Sequence, residues 1–124
     1  MEAALLADAF HTEGVYRLER GDFDLAVQRL ARAVEASPRN PVYRGNYGWA
    51  LFKTGDATGA AAEIEESIRL AGDRPIPYAN LAEVRLVQGD TAAALAAYSR
   101  FIQLNDDAAL DADAERRIRE IRRR

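Results

Sequence analysis

Four residues at helical spacing carry the most distinctive chemistry in this chain: Asn46, Trp49, Phe52 and Lys53. Steps of three and four put an amide, two aromatic rings and a cation on one face of a helix. Such a set binds rather than reacts. An indole offers a large apolar contact with one polar handle, and central Trp anchors dominate measured interface energies. A side-chain amide gives and accepts one hydrogen bond each to an extended backbone. Two readings stand for the aromatics, a binding anchor or packing between adjacent helices. Trp49 suits the first and Phe52 the second, since an aromatic at helical spacing belongs to a core by default. Asn80 follows Asn46 by thirty-four residues, and the pair either holds a peptide backbone or bonds locally.

Little else in the chain is suited to catalysis. His11 is the single His, read as having no carboxylate or second His at ligand spacing, and is expected to be a surface residue rather than a metal ligand or base. The absence of Cys removes disulfides, thiol nucleophiles and thiolate metal sites together. The paired acids Glu65 with Glu66 and Asp106 with Asp107 fall on a solvated face or at a helix start, where acids are ordinary. The chain contains no glycine-rich phosphate loop, no nucleophile elbow and no metal-ligand cluster. The expectation is a protein that is not an enzyme, with no catalytic, cofactor or metal site.

Composition bounds the class. A chain of 124 residues, 48% hydrophobic and 30% charged, is one ordinary globular domain by size. It has no apolar run of about twenty residues, so no membrane span is expected, and its start carries Glu2 where a secretory signal needs a base. The expected location is the cytoplasm. The last nine residues carry six Arg and one Glu, so the remainder of a chain of net charge -3 sums to about -8. The Arg run has two readings, a patch for nucleic acid or an acidic protein, which the acidic body opposes for DNA, and a frayed basic helix end that complements its dipole, which is the one favoured. Sixteen of the seventeen basic residues are Arg and Ala is abundant, a composition expected of a bacterial protein.

These residues need helices to position them, and the pattern supplies helices throughout. Residues 3–20 form the first, with Leu6, Phe10 and Gly14 on one stripe and Gly21 as the left-handed residue that ends it. Asp22 is placed to cap the second, about 23–36, which buries Ala26, Val27, Leu30, Ala33 and Val34. Ser37 and Pro38 stop it. Pro41 opens the third helix, which runs to Thr54. The fourth, about 57–71, buries Ala60, Ala61, Ile64, Ser67 and Ile68. The third pair starts at Pro75, turns at Gly89 and Asp90, and buries Ala94, Leu95, Tyr98, Phe101 and Ile102. A different helix, about 107–121, carries Leu110, Ala114, Ile118 and Ile121 on a single stripe.

Shifted by thirty-four residues, the chain matches itself: Gly21, Gly55 and Gly89 coincide, each followed by Asp22, Asp56 or Asp90, with Ala26, Ala60 and Ala94 in register behind them. A helical hairpin cannot bury its apolar face alone, so such units stack, and the last helix caps the open end. The period and residues resemble the tetratricopeptide repeat family. Its small residue in the first helix of each repeat matches Gly14, Gly48 and Ala82, and that in the second matches Ala26, Ala60 and Ala94. Its large residue matches Phe10 and Tyr78 but falls on Arg44 in the middle repeat, where Tyr43 takes over. Its Leu matches Leu81, with Tyr47 and Glu13 at the other two places; a charge at Glu13 faces water at the start of the array.

The resemblance implies an all-α right-handed superhelix of three helix-turn-helix repeats, about 7–40, 41–74 and 75–108, in a single domain over 1–124 with a capping helix at about 107–121. It also implies function. In that family the first helices of successive repeats line a concave groove that holds a segment of a partner protein. Carried over by position, the groove is lined by Val15, Leu18, Glu19, Asn46, Trp49, Phe52, Lys53, Ile76, Asn80, Glu83, Leu86 and Val87. Family members that hold the C-terminal carboxylate of chaperones share a set of Lys, Asn and Arg. Of that set only Asn46 has a counterpart here, and His11 and Val15 stand where Lys and Asn would be. The implied role is a protein–protein interaction module, an adaptor or scaffold binding a short apolar peptide segment, without nucleic acid or membrane. The alternative is a structural subunit that self-associates, as a homo-oligomer, through the groove or the C-terminal helix.

Overall fold

A computed structural model describes residues 2–124. They form seven α-helices and, among the described residues, no strand: α1 (Glu2–Glu19), α2 (Phe23–Ala36), α3 (Pro41–Lys53), α4 (Ala57–Leu70), α5 (Ile76–Val87), α6 (Thr91–Leu104) and α7 (Ala108–Arg122). The helices pair as hairpins α1–α2, α3–α4 and α5–α6, with α7 packed on α6. Contacts divide the chain into two compact units, a first that ends at Gly72 and a second, Asp73–Arg124.

Local chemistry explains the boundaries. Gly21, Gly55 and Gly89 all sit at positive φ, +79°, +95° and +82°, a conformation that costs a residue with Cβ but not glycine. The Oδ1 of Asn40 accepts from the backbone N–H groups of Val42 and Tyr43 ahead of Pro41. Asp56 accepts from Gly59 N–H, Asp90 from Ala93 N–H, and Asp107 from Ala109 and Leu110 N–H. These bonds satisfy donors that a helix start leaves open. Asp22 departs from the expected plan. It makes no side-chain capping bond and lies 3.9 Å from Arg17 Nη1 instead.

In the first unit the hairpins cross at their smallest residues. A Cβ on Gly14 would lie 2.5 Å from Leu30 Cγ, and one on Gly48 would lie 2.8 Å from Ile64 Cγ1 and 3.1 Å from the Ala60 carbonyl. Gly45 faces Ser67, whose hydroxyl donates to the Pro41 carbonyl at 2.6 Å. The small residues Ala26 and Ala60 on the opposing helices are fully buried. Tyr43 fills the place expected of it in the core. Arg44 is partly buried and ties the hairpin, its Nη1 2.9 Å from Glu63 and its Nε donating to the Pro38 carbonyl at 2.8 Å. Glu13 is half-buried and pairs with Arg29 of α2 at 3.0 Å rather than simply facing water. Leu6 is also displaced from its expected role: it is 53% exposed, and the inner place on α1 is taken by Ala7.

In the second unit one core joins three helices. Ala82 of α5, Ala97, Tyr98 and Phe101 of α6, and Ala114, Ile118 and Ile121 of α7 form it. The last helix thus caps the hairpin as expected, with one exception. Leu110 is 39% exposed and is not among the residues of that core.

Candidate functional site

Each unit presents a surface built on its first helices. On α3, Trp49 and Phe52 are both partly exposed, with ring centroids 5.1 Å apart and planes tilted by 31°. The Lys53 ammonium lies 4.9 Å from the Trp49 ring centroid, within the range in which a cation is drawn to an aromatic face. The amide, the two rings and the cation of α3 therefore share a face, as their spacing requires. Val15 and Leu18 of α1 are partly buried against Ala26, Leu30 and Ala50, so they serve the hairpin core as well as the surface. Glu19 is exposed.

Asn46 has a partner that its spacing did not announce. Its side-chain nitrogen lies 2.9 Å from His11 Nε2 on α1, and the His11 ring stacks on Tyr43 at 4.5 Å. The Tyr43 hydroxyl in turn donates to Asp8 at 3.4 Å. An amide nitrogen can only donate, so the ring nitrogen is the acceptor of this bond; burial lowers the pKa of His11 and outweighs the upward pull of Asp8. A group whose folded pKa is depressed contributes stability above its unfolded value and loses it as the pH falls. Accordingly, His11 should titrate in the folded protein below its ordinary value of 6.5, followed by its ring resonances in NMR. A midpoint above that value would mean that Asp8 prevails over burial. Sequence reasoning also passed over Tyr16, 50% exposed on α1, with the guanidinium groups of Arg17 and Arg20 at 5.5 and 5.4 Å from its ring.

In the second unit the expected residues separate. Leu86 packs against the core, whereas Ile76 and Val87 are 51% and 67% exposed and Asn80 is partly exposed. Glu83 is drawn into a network. Arg117 of α7 approaches it with Nε and Nη2, each at 3.0 Å, and the Tyr98 hydroxyl donates to the same carboxylate. Burial alone would raise the Glu83 pKa, but the bonds from Arg117 and Tyr98 and the Arg117 charge hold it below the usual carboxylate range. Burial and the Glu83 carboxylate push the Tyr98 phenol well up. Beside this network a cleft of about 370 Å³ opens between α5, α6 and α7. Ile76, Ala79 and Asn80 line one side of it, Tyr98 and Phe101 the floor, and Leu110 belongs to the α7 wall. None of the α7 residues was legible as part of a site, since nothing in the spacing ties position 110 to position 76.

Among the described residues, no group of three or more His, Cys, Asp or Glu side chains is placed to hold a metal ion, and no helix is long and apolar enough to cross a membrane. The family model described as tetratricopeptide repeat matches residues 11–75, just over half of the chain. A TPR repeat-containing protein of Pseudomonas aeruginosa, PA4299, is 32% identical over 90 residues, covering 73% of this chain and 37% of its own. The Hsp70-Hsp90 organizing protein of Triticum aestivum is 29% identical over 100 residues, covering 81% of this chain and 17% of its own. The chain thus spans well under half the length of either relative. Among solved structures, the first TPR of Spaghetti (RPAP3), bound to the HSP90 peptide SRMEEVD, superposes with a TM-score of 0.87 at 20% identity, over 97% of this chain and 93% of that one. At that identity the likeness is one of fold.

Proposed function

We propose that this chain, which belongs to the tetratricopeptide repeat family, is a protein-interaction module that holds a short apolar segment of another protein on the first-helix faces of its hairpins, in an adaptor or scaffold role. The observation that carries this reading is the surface of α3: a partly exposed indole, backed by Phe52 and overlaid by Lys53. Large aromatic anchors of this kind supply a disproportionate share of binding energy. In the first unit Val15, Leu18, Glu19 and Asn46 are assigned to the same face by position; in the second unit, taken by itself, Ile76 and Val87 are the exposed positions of the α5 face and Asn80 is partly exposed, while Glu83 and Leu86 are engaged within the unit. A cytoplasmic location belongs to the same proposal.

The Spaghetti domain holds a peptide with two adjacent Glu residues and a terminal Asp. The present surface offers little to such a ligand. His11 and Val15 occupy places at which the carboxylate-holding members carry Lys and Asn, and the amide of Asn46 is already engaged by His11. A partner with apolar side chains fits better. The alternative of self-association through the C-terminal helix is disfavoured by packing, since Ala114, Ile118 and Ile121 of α7 are consumed by the core of their own unit.

Peptides selected on the chain from a displayed random library provide the test. Trp49→Ala should weaken the selected peptides by about 2 kcal/mol, roughly thirtyfold in Kd, while the circular dichroism spectrum is unchanged. Binding should weaken little between low and high salt, because apolar contacts are not screened. Equal affinity for the variant, or affinity that collapses with salt, would overturn the assignment of Trp49 as anchor.

A further inference from the structure

We propose that the cleft of the second unit is a pocket for an uncharged apolar side chain of the partner segment, with the Asn80 amide bonding the segment's backbone beside it. This rests on the interaction-module reading and adds to it the chemistry that the partner must bring. The cleft's volume, about 370 Å³, lies at the small end of the range of roughly 300–1,000 Å³ typical of ligand sites.

Three observations define the occupant. The first is the apolar lining. Phe101, Ala79 and the Tyr98 ring form the interior, and the Tyr98 hydroxyl is committed to Glu83. Ile76 on α5 and Leu110 on α7 both border the cleft and both remain exposed, at 51% and 39%. Capping does not account for Leu110, because Ala114, Ile118 and Ile121 already dock α7. Two large apolar side chains left in water on two helices, bordering one cleft, gain when a third covers them.

The second observation is the charge. Four charged residues line the cleft, and each is paired within the unit. Arg117 meets Glu83 and Glu120, and Arg116 meets Asp113 at 2.7 Å. The four lining charges, Asp113, Arg116, Arg117 and Glu120, cancel. Glu83 behind them accepts from both Arg117 and Tyr98. A charged ligand would find these groups already paired and would itself have to give up water, whereas a neutral apolar one gives up little. The third is Asn80, whose amide belongs to none of those pairs and stands on the rim with a donor and an acceptor to offer a backbone.

The test uses the full chain, isotope-labelled, titrated in NMR with acetyl-Ala-Leu-Ala-amide and with its counterparts carrying Asp or Lys in the middle. The Leu peptide should move the amide signals of Ala79, Asn80 and Leu110 saturably, and should bind at least tenfold more tightly than either charged peptide. Ile76→Asp and Leu110→Asp change exposed side chains and should each weaken the Leu peptide at least fivefold without altering the rest of the spectrum. The inference is overturned if the Leu peptide moves none of these signals at tens of millimolar, if a charged peptide binds as well, or if both variants bind like wild type. The interaction-module reading fails separately. Library peptides that still lose affinity on Trp49→Ala while the cleft stays empty would remove the pocket and leave the module.

Discussion

Gly48→Leu should destabilise the protein by about 3 kcal/mol or more, the upper part of the range for forcing volume into a packed crossing. At Gly48 even a Cβ would lie 2.8 Å from Ile64 Cγ1, 3.1 Å from the Ala60 carbonyl and 3.2 Å from Glu63 Cβ. Ile64 has no room to yield, since it is fully buried, and the Ala60 carbonyl belongs to the backbone of α4. The hairpin must therefore open, and opening it exposes Ile64, Ala60 and Ala61 together. The introduced leucine would also be driven against α4 rather than into water, so its own apolar surface offers no compensation. Thermal and urea melts of the variant check this, with Gly48→Ala as an intermediate case. Melts of Gly48→Leu that coincide with wild type would mean that α3 and α4 do not cross at this residue.

Ending the chain after Asp107 should have an effect as large, and of a different kind. It removes Ala114, Ile118 and Ile121 from the core they share with Ala97, Tyr98 and Phe101. Burying two isoleucines and an alanine is worth on the order of 5 kcal/mol at about 25 cal/mol per Å² of apolar surface. The truncation also takes Arg117 from Glu83, and a half-buried carboxylate without its partner is costly in its own right. The uncovered face of α6 would be a contiguous apolar patch of the kind that drives association. A lower melting temperature and a rise in solution mass at micromolar concentration are the expected results. A truncated chain that stays monomeric with an unchanged melt would show α7 to be a free arm rather than a cap.

Much of the fold was legible because it rests on short-range rules. The period of thirty-four residues, the glycines at positive φ, Pro41 at the start of α3 and the small residues at the crossings each act within a turn or one hairpin. The helix ends accordingly fall within a residue or so of where the sequence puts them. The face of α3 that carries Asn46, Trp49, Phe52 and Lys53 was legible for the same reason, since helical spacing alone determines what shares a face.

The remaining features depend on residues distant in the chain. Asn46 meets His11 across thirty-five positions, and Glu83 meets Arg117 across thirty-four. Neither pairing has a local signature, because any of several polar side chains at those places would look equally solvated in the sequence. Leu6 and Leu110 make the same point from the apolar side. Both keep the helical stripe of their neighbours, yet both are exposed, because periodicity records which face of its helix a residue is on and not what covers that face in the folded chain. The sequence by itself determined the repeat, its turns and the chemistry offered on each helix face. Only the tertiary structure decided which of those groups are spent on one another, since that depends on where two helices stop covering each other: there His11 takes up Asn46, Arg117 takes up Glu83, and an apolar cleft is left open between Ile76 and Leu110.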